Sequence, residues 1–331
     1  MEIINGSDRL PATGKPLYLA LGNFDGVHRG HQAIISKTVE KAKRESGISA
    51  AYILNPHPVI ALMPDNGISL LTDIVDRAEI MGELGLDYLI MEPFTGELPG
   101  YTPEEFITTI LRDRLSARGV FIGNNYRFGS KGAGNAETLQ RWGDEAGFKV
   151  DVIPIVHYEQ ERVSSSLIRS LIIGGEVSKA ADYLNYYFYR HGKVIRGSGI
   201  GKSRLVPTAN VIASRDLLWP GQGVYLTAVG GLEEGLFYGV TNVGAKPTLK
   251  QFDQNLVETH ILDYNSDIYN RNIRICFLEK IRETCEFNSL DELKLQIERD
   301  IERARAMLPG FIQEAGSRGR SLQAGCSVLR S

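Results

Sequence analysis

The 331-residue sequence has little cysteine: three residues, Cys276, Cys285 and Cys326. That is too few, and an odd number, for a disulfide framework. It contains no run of 18 apolar residues, which excludes a membrane-spanning helix. It lacks an excess of basic charge, with 37 Lys and Arg against 40 Asp and Glu. A general nucleic-acid binder would be basic, so that class is disfavoured. Residues 1–15 show no basic segment followed by an apolar one, so no secretory signal is expected. There is no internal repeat. These absences point to a cytoplasmic protein that binds neither nucleic acid nor membrane.

What is present is ordinary in bulk: 43% hydrophobic and 23% charged residues, close to globular averages. At about 150 residues per domain the length fits two domains. Glycine is the exception, with 35 residues, above the usual share of about 7%.

The first half alternates short apolar runs with helical patterns. The runs are 17–21, 50–54, 88–91, 120–123 and 150–156; the helical segments are 31–44, 73–83, 103–114 and 136–145. Runs bounded by turn residues fit strands buried on both faces, and the alternation predicts a doubly wound α/β sheet. Ligands of such sheets bind beyond the carboxyl ends of the strands, which directs attention to the loops after Leu21, Leu54 and Ile122. Short helices are expected at 165–173 and 177–184. Six strands then follow without a helical period: 191–196, 208–214, 223–229, 236–243, 257–264 and 272–279. They predict an all-β barrel or sandwich. A closing helix begins at a capping box, Ser289 with Glu292, and carries Leu290, Leu293, Ile297 and Ile301 as an apolar stripe to about Met307. Expected domains are 1–184 and 185–308, with a disordered tail over 309–331.

One glycine cluster, Gly22-Asn23-Phe24-Asp25-Gly26-Val27-His28-Arg29-Gly30-His31, follows the first strand and opens the first helix. A helix N-terminus offers free N–H groups and a positive dipole end, which suits an anion. His28 and His31, three apart, share a helix face and can stabilise charge on phosphate oxygens. Taken alone, the pair also fits exposed helix caps, or a metal site with Asp25.

The whole run resembles the His-x-Gly-His signature of nucleotidyltransferases, in the form found in prokaryotic bifunctional riboflavin kinase/FAD synthetases. Three further segments resemble that family in order: Asn55-Pro56-His57-Pro58, Gly123-Asn124-Asn125-Tyr126-Arg127-Phe128-Gly129, and Val163-Ser164-Ser165-Ser166-Leu167-Ile168-Arg169. The resemblance implies that His28 and His31 are catalytic. It places Gly22, Phe24, Asp25, Gly30, Ser164, Ser165 and Arg169 around ATP, and His57 and Asn125 at the flavin. Read without the family, the serines fit a helix cap and His57 a rigid turn.

A second cluster, Gly197-Ser198-Gly199-Ile200-Gly201-Lys202-Ser203, fails the Walker pattern because Arg196 stands where the first Gly belongs. It leads into Pro207-Thr208-Ala209-Asn210, which resembles the riboflavin kinase motif. Gly239-Val240-Thr241-Asn242-Val243-Gly244, Pro247-Thr248 and Val257-Glu258-Thr259-His260-Ile261-Leu262-Asp263 match the family too. The resemblance implies that Gly199, Gly201, Lys202, Thr208 and Asn210 hold nucleotide, with Thr208 and Asn210 also on Mg²⁺. It makes Glu258 the general base on riboflavin, and Arg299 a candidate for the flavin pocket. Without the family, Glu258 fits an exposed cross-strand pair and Arg299 a solvated helix face. His260 and Cys276 read as structural. The resemblance covers about residues 14–305. One departure stands out: Leu205-Val206 replaces the usual Gly-aromatic pair ahead of Pro-Thr-Ala-Asn. Both activities are expected, with riboflavin, FMN and ATP as ligands. The alternatives are a single surviving activity, with the kinase impaired at Leu205-Val206, or a non-catalytic flavin or nucleotide sensor.

Overall fold

A computed structural model describes residues 1–63, 68–195, 208–212, 217–232, 235–244 and 256–317. The chain divides into two compact units between Ser165 and Ser166.

In the first unit six strands form a parallel sheet: β1 (Glu2–Asn5), β2 (Leu17–Leu21), β3 (Ile48–Asn55), β4 (Tyr88–Pro93), β5 (Ala117–Gly123) and β6 (Lys149–Ile153). Their order is β1-β4-β3-β2-β5-β6. All five residues of central β2 are buried, as a strand covered on both faces requires. Helices α1 (Arg29–Arg44), α2 (Pro58–Leu62), α3 (Ile74–Glu83), α4 (Pro103–Glu105) and α5 (Ala136–Glu145) lie between the strands. The chain leaves β2 through α1 to β3 on one side. It later crosses to β5 on the other. The carboxyl ends of β2 and β5 therefore border the point where strand order reverses, the usual ligand crevice of this architecture.

Three details depart from expectation. Strand β1 escapes sequence reading because Ile4 is its only buried residue, so it carries no period. The expected helix over 103–114 begins as α4, capped by the Thr102–Glu105 box, and widens into a π-helix over Phe106–Arg114. The run at 150–156 ends as a strand at Ile153, and a small hairpin follows, β7 (His157–Tyr158) with β8 (Glu161–Arg162).

The second unit contains most of α6 (Ser165–Ile173), then α7 (Val177–Leu184). Six strands follow: β9 (Tyr189–Ile195), β10 (Ala209–Ile212), β11 (Gly223–Gly230), β12 (Phe237–Gly244), β13 (Leu256–Ile261) and β14 (Asn272–Arg282). They close into an antiparallel barrel, β10-β13-β12-β11-β14-β9. Closure leaves no unpaired edge. Helix α8 (Leu290–Ser317) completes the unit. It runs through Pro309 and past the expected end at Met307. Proline removes one backbone donor and its ring crowds the carbonyl four residues back, yet the helix continues through it to Ser317. Of the expected tail, 309–317 is helical, and 318–331 lies outside the described residues. Leu290, expected on the apolar stripe, is exposed, whereas Asp300 and Ala304 are buried. Asp300 accepts a forked hydrogen bond from Arg282 of β14 at 2.7–3.1 Å, which fastens the helix to the barrel.

Among the described residues no helix is long and apolar enough to cross a membrane.

Candidate active sites

His28 is the N-cap of α1, and its Nδ1 accepts the His31 N–H at 3.3 Å. In the neutral ring the His28 proton therefore sits on Nε2. The two imidazoles stack, with centroids 3.6 Å apart and planes 16° from parallel. Phe24 meets His31 edge-on at 5.3 Å. A Cβ on Gly30 would lie 3.2 Å from the His28 ring, so glycine there makes room for the cap. His31 Nδ1 is buried with no hydrogen-bond partner among the described residues. Burial above all, then the His28 ring and the Arg77 charge, hold the His31 imidazole well below its ordinary pKa. An anion would oppose all three effects. The positive end of the α1 dipole and the two rings thus form one positive-leaning surface for phosphate.

Asp25 faces elsewhere. Its carboxylate accepts from Leu71 N–H at 3.0 and 3.1 Å and from Thr72 N–H at 3.1 Å. It also lies 3.7 Å from the Arg77 guanidinium. Asp25 is buried, at 3% exposure. These contacts engage its lone pairs inside the protein and hold the loop in place. Gly26 N–H donates to Thr72 Oγ1 at 2.9 Å, and Ser165 Oγ donates to the Asp25 carbonyl at 2.9 Å. Ser165 therefore secures the loop from the start of α6. Phe24, beside Asp25, is 1% exposed and packs as core. Gly22 and Gly30 stay half-buried along the loop, as do Ser164 and Arg169 near the start of α6.

His57 ends the β3 loop and caps α2, accepting Val59 N–H on Nδ1 at 3.2 Å. Asn125 is exposed just after β5. Both lie at carboxyl ends of strands, on the same edge of the sheet as His28.

In the barrel, Asn210 of β10 lies opposite Glu258 of β13, which lies opposite Asn242 of β12. Directly opposed residues share a face, so an amide, a carboxylate and an amide form a row. Glu258 is half-buried, and Thr208 is exposed immediately before β10. The row offers the hard oxygen donors that suit a divalent cation such as Mg²⁺. Arg299 is exposed on α8 and is not part of the row. Gly199, Gly201, Lys202 and Leu205-Val206 lie outside the described residues. Sequence reasoning did not place Asn242 beside Glu258, because only strand register does so. It also missed Arg77 and Thr72, for which no local signal exists.

Family models describe residues 10–167 as FAD synthetase and residues 184–308 as riboflavin kinase. Curated relatives called bifunctional riboflavin kinase/FMN adenylyltransferase match nearly end to end. The Escherichia coli K12 protein is 33% identical over 92% of this chain and 97% of its own length. The Pseudomonas fluorescens protein is 32% identical over 93% and 98%. The Haemophilus influenzae protein is 31% identical over 92% and 99%. A crystal structure of a Streptococcus pneumoniae protein described as a macrolide-efflux protein superposes with a TM-score of 0.83 at 27% identity, covering 92% of this chain and 98% of that one.

Proposed function

The chain belongs to the family of bifunctional riboflavin kinase/FMN adenylyltransferases, and on that premise we propose how its residues divide the two reactions. The protein phosphorylates riboflavin to FMN with ATP and adenylylates FMN to FAD. We assign adenylyl transfer to residues 1–184 and phosphorylation to residues 185–308, in the cytoplasm.

In the first reaction an FMN phosphate oxygen attacks the α-phosphorus of ATP, and pyrophosphate leaves. The protein's task is to position the phosphates and stabilise their charge. His28 presents an Nε2–H donor, and the α1 N-terminus supplies its N–H groups. His31 is neutral when the site is empty and gains affinity for a proton as phosphate charge approaches. Ser164 and Arg169 bind the triphosphate, Arg169 through its planar fork. Asn125 and His57 bind the flavin side. Asp25 and Ser165 shape the loop.

In the second reaction Glu258 accepts the proton of the riboflavin 5′-hydroxyl as that oxygen attacks the γ-phosphorus of ATP. Thr208 and Asn210 hold Mg²⁺, which supplies charge neutralisation at the phosphates when bound. Asn242 holds the Glu258 carboxylate or the nucleotide from the neighbouring strand.

One observation carries the first assignment: His28 caps α1 while stacking on His31 at the sheet's ligand edge. The test incubates the protein with riboflavin, ATP and Mg²⁺ and resolves FMN and FAD by chromatography. Wild type forms both. His28→Ala forms FMN and no FAD. Undiminished FAD formation by His28→Ala would sink the assignment, and no flavin product from wild type would favour a sensor.

A further inference from the structure

The loop that carries the histidines is held in a conformation it would not keep alone. Phe24 has φ 52° and Val27 has φ 32°. Both are buried, at 1% and 0% exposure. Positive φ is costly for any residue with a Cβ, and most of all for a β-branched one. Such strain persists only where the surroundings over-determine it.

The surroundings here are the segment that opens α3. Leu71 and Thr72 donate to Asp25, and Thr72 Oγ1 accepts from Gly26. Arg77 completes the set. One guanidinium nitrogen donates to the Asn23 carbonyl at 2.9 Å and the other to the Thr72 carbonyl at 3.2 Å. The second nitrogen also lies 3.7 Å from Asp25. Arg77 is therefore bonded to both halves of the junction, the loop and the segment that clamps it. Its own location is unfavourable. It is a cation near the positive end of a helix, and it is 4% exposed. Helix propensity and solvation do not explain a buried Arg at this position. The loop contacts do: the rigid planar fork aims one nitrogen at each of the two carbonyls.

We infer that Arg77 is a positioning residue for adenylyl transfer, pinning loop 23–26 from the opening of α3 so that His28 and His31 stand correctly on α1. The inference rests on the assignment of that reaction to the two histidines. Arg77 also acts on His31 at a distance. The groups that face His31 are the stacked His28 ring, the Phe24 edge and the Arg77 charge. Of these Arg77 is the permanent cation, and its removal lets the His31 ring take up a proton more readily.

The experiment compares full-length Arg77→Met and Arg77→Lys with wild type. FAD formation from FMN, FMN formation from riboflavin, and the His31 ring titration by NMR are measured on the same preparations. In Arg77→Met, kcat for FAD formation falls roughly 10- to 100-fold, as expected for a displaced catalytic group. KM changes far less than kcat, FMN formation is retained, and His31 titrates at higher pH. Arg77→Lys regains part of kcat and most of the titration, because an ammonium restores the charge without the rigid fork that spans the two carbonyls. An unchanged kcat overturns the inference, as does a lowered kcat with an unmoved His31 titration. If Arg77→Met loses both activities together, Thr72→Val decides. It removes the hydroxyl that receives Gly26 N–H at little change in volume, and undiminished FAD formation by the folded variant overturns the inference. His28→Ala separates the two levels. FAD formation that survives His28→Ala refutes the assignment beneath, whereas its loss there and survival in Arg77→Met refutes this inference alone.

Discussion

His31 is pushed toward its neutral form by burial first, then by the stacked His28 ring and the Arg77 charge. The sign of the consequence is definite. An unfolded chain protonates this ring near the ordinary imidazole pKa of about 6.5, whereas the folded protein resists protonation until well below that. As pH falls through this interval the unfolded state binds more protons, and stability declines. Stability is therefore greatest above the ordinary value and lost on acidification. Denaturant unfolding of wild type and His31→Gln at about pH 7.5 and about pH 5.5 measures the difference. Wild type is expected to lose more stability over that step, and equal losses would refute the description of His31. At the same scale, Gly26 shows why one glycine of the cluster is structural. Its φ is +81°, and a Cβ would lie 2.7 Å from Leu71 Cδ1.

At the scale of elements, β11, β12 and β13 are joined by more than their backbone ladder. Thr227 Oγ1 donates to the Gly239 carbonyl at 3.1 Å. Its single proton being committed, the 2.8 Å contact to Thr241 and the 3.0 Å contact from Thr241 to Thr259 run one way: Thr259 donates to Thr241, and Thr241 to Thr227. All three residues are 0% exposed. Thr241→Val keeps the shape but leaves the Thr259 hydroxyl without its acceptor. A buried unsatisfied donor costs about 1–3 kcal/mol, readable as a lower denaturation midpoint. An unchanged midpoint would mean the ladder contributes nothing. The ladder matters to chemistry because β12 and β13 carry Asn242 and Glu258, and register alone keeps them opposite one another. Parallel strands with continuous apolar runs were legible in the sequence. The edge strand β1 and the hairpin β7–β8 were not, since two- to four-residue strands at an edge bury too little to set a pattern.

For the whole molecule, two folds in one chain serve consecutive steps on one metabolite. Their chemistry predicts a clean separation. Glu258→Gln removes the proposed base, and loss of a general base costs about 10²–10⁴-fold. FMN formation from riboflavin is expected to fall by that order, while FAD formation from supplied FMN continues. Chromatography of the flavins from the two incubations reads both at once. A parallel fall in both would show that the reactions share a site. This outcome mirrors His28→Ala, where the other product is lost.

The amino-acid sequence by itself determined the class of each half. Buried strands must be apolar, helices must show a 3.6-residue period, and the residues that carry chemistry fall just after strand ends. His28 and Asn125 were expected on those grounds together with their motifs, and Asn210 and Glu258, which lie within β10 and β13, on their motifs alone. Tertiary structure alone decided which way Asp25 faces, that Arg77 and Thr72 contact the histidine loop, and that Asn242 stands opposite Glu258. The Asp25–Leu71 and Arg77–Asn23 contacts span 46 and 54 residues. Local periodicity reports which face of an element is buried, not which distant carbonyl or N–H will stand opposite a given side chain.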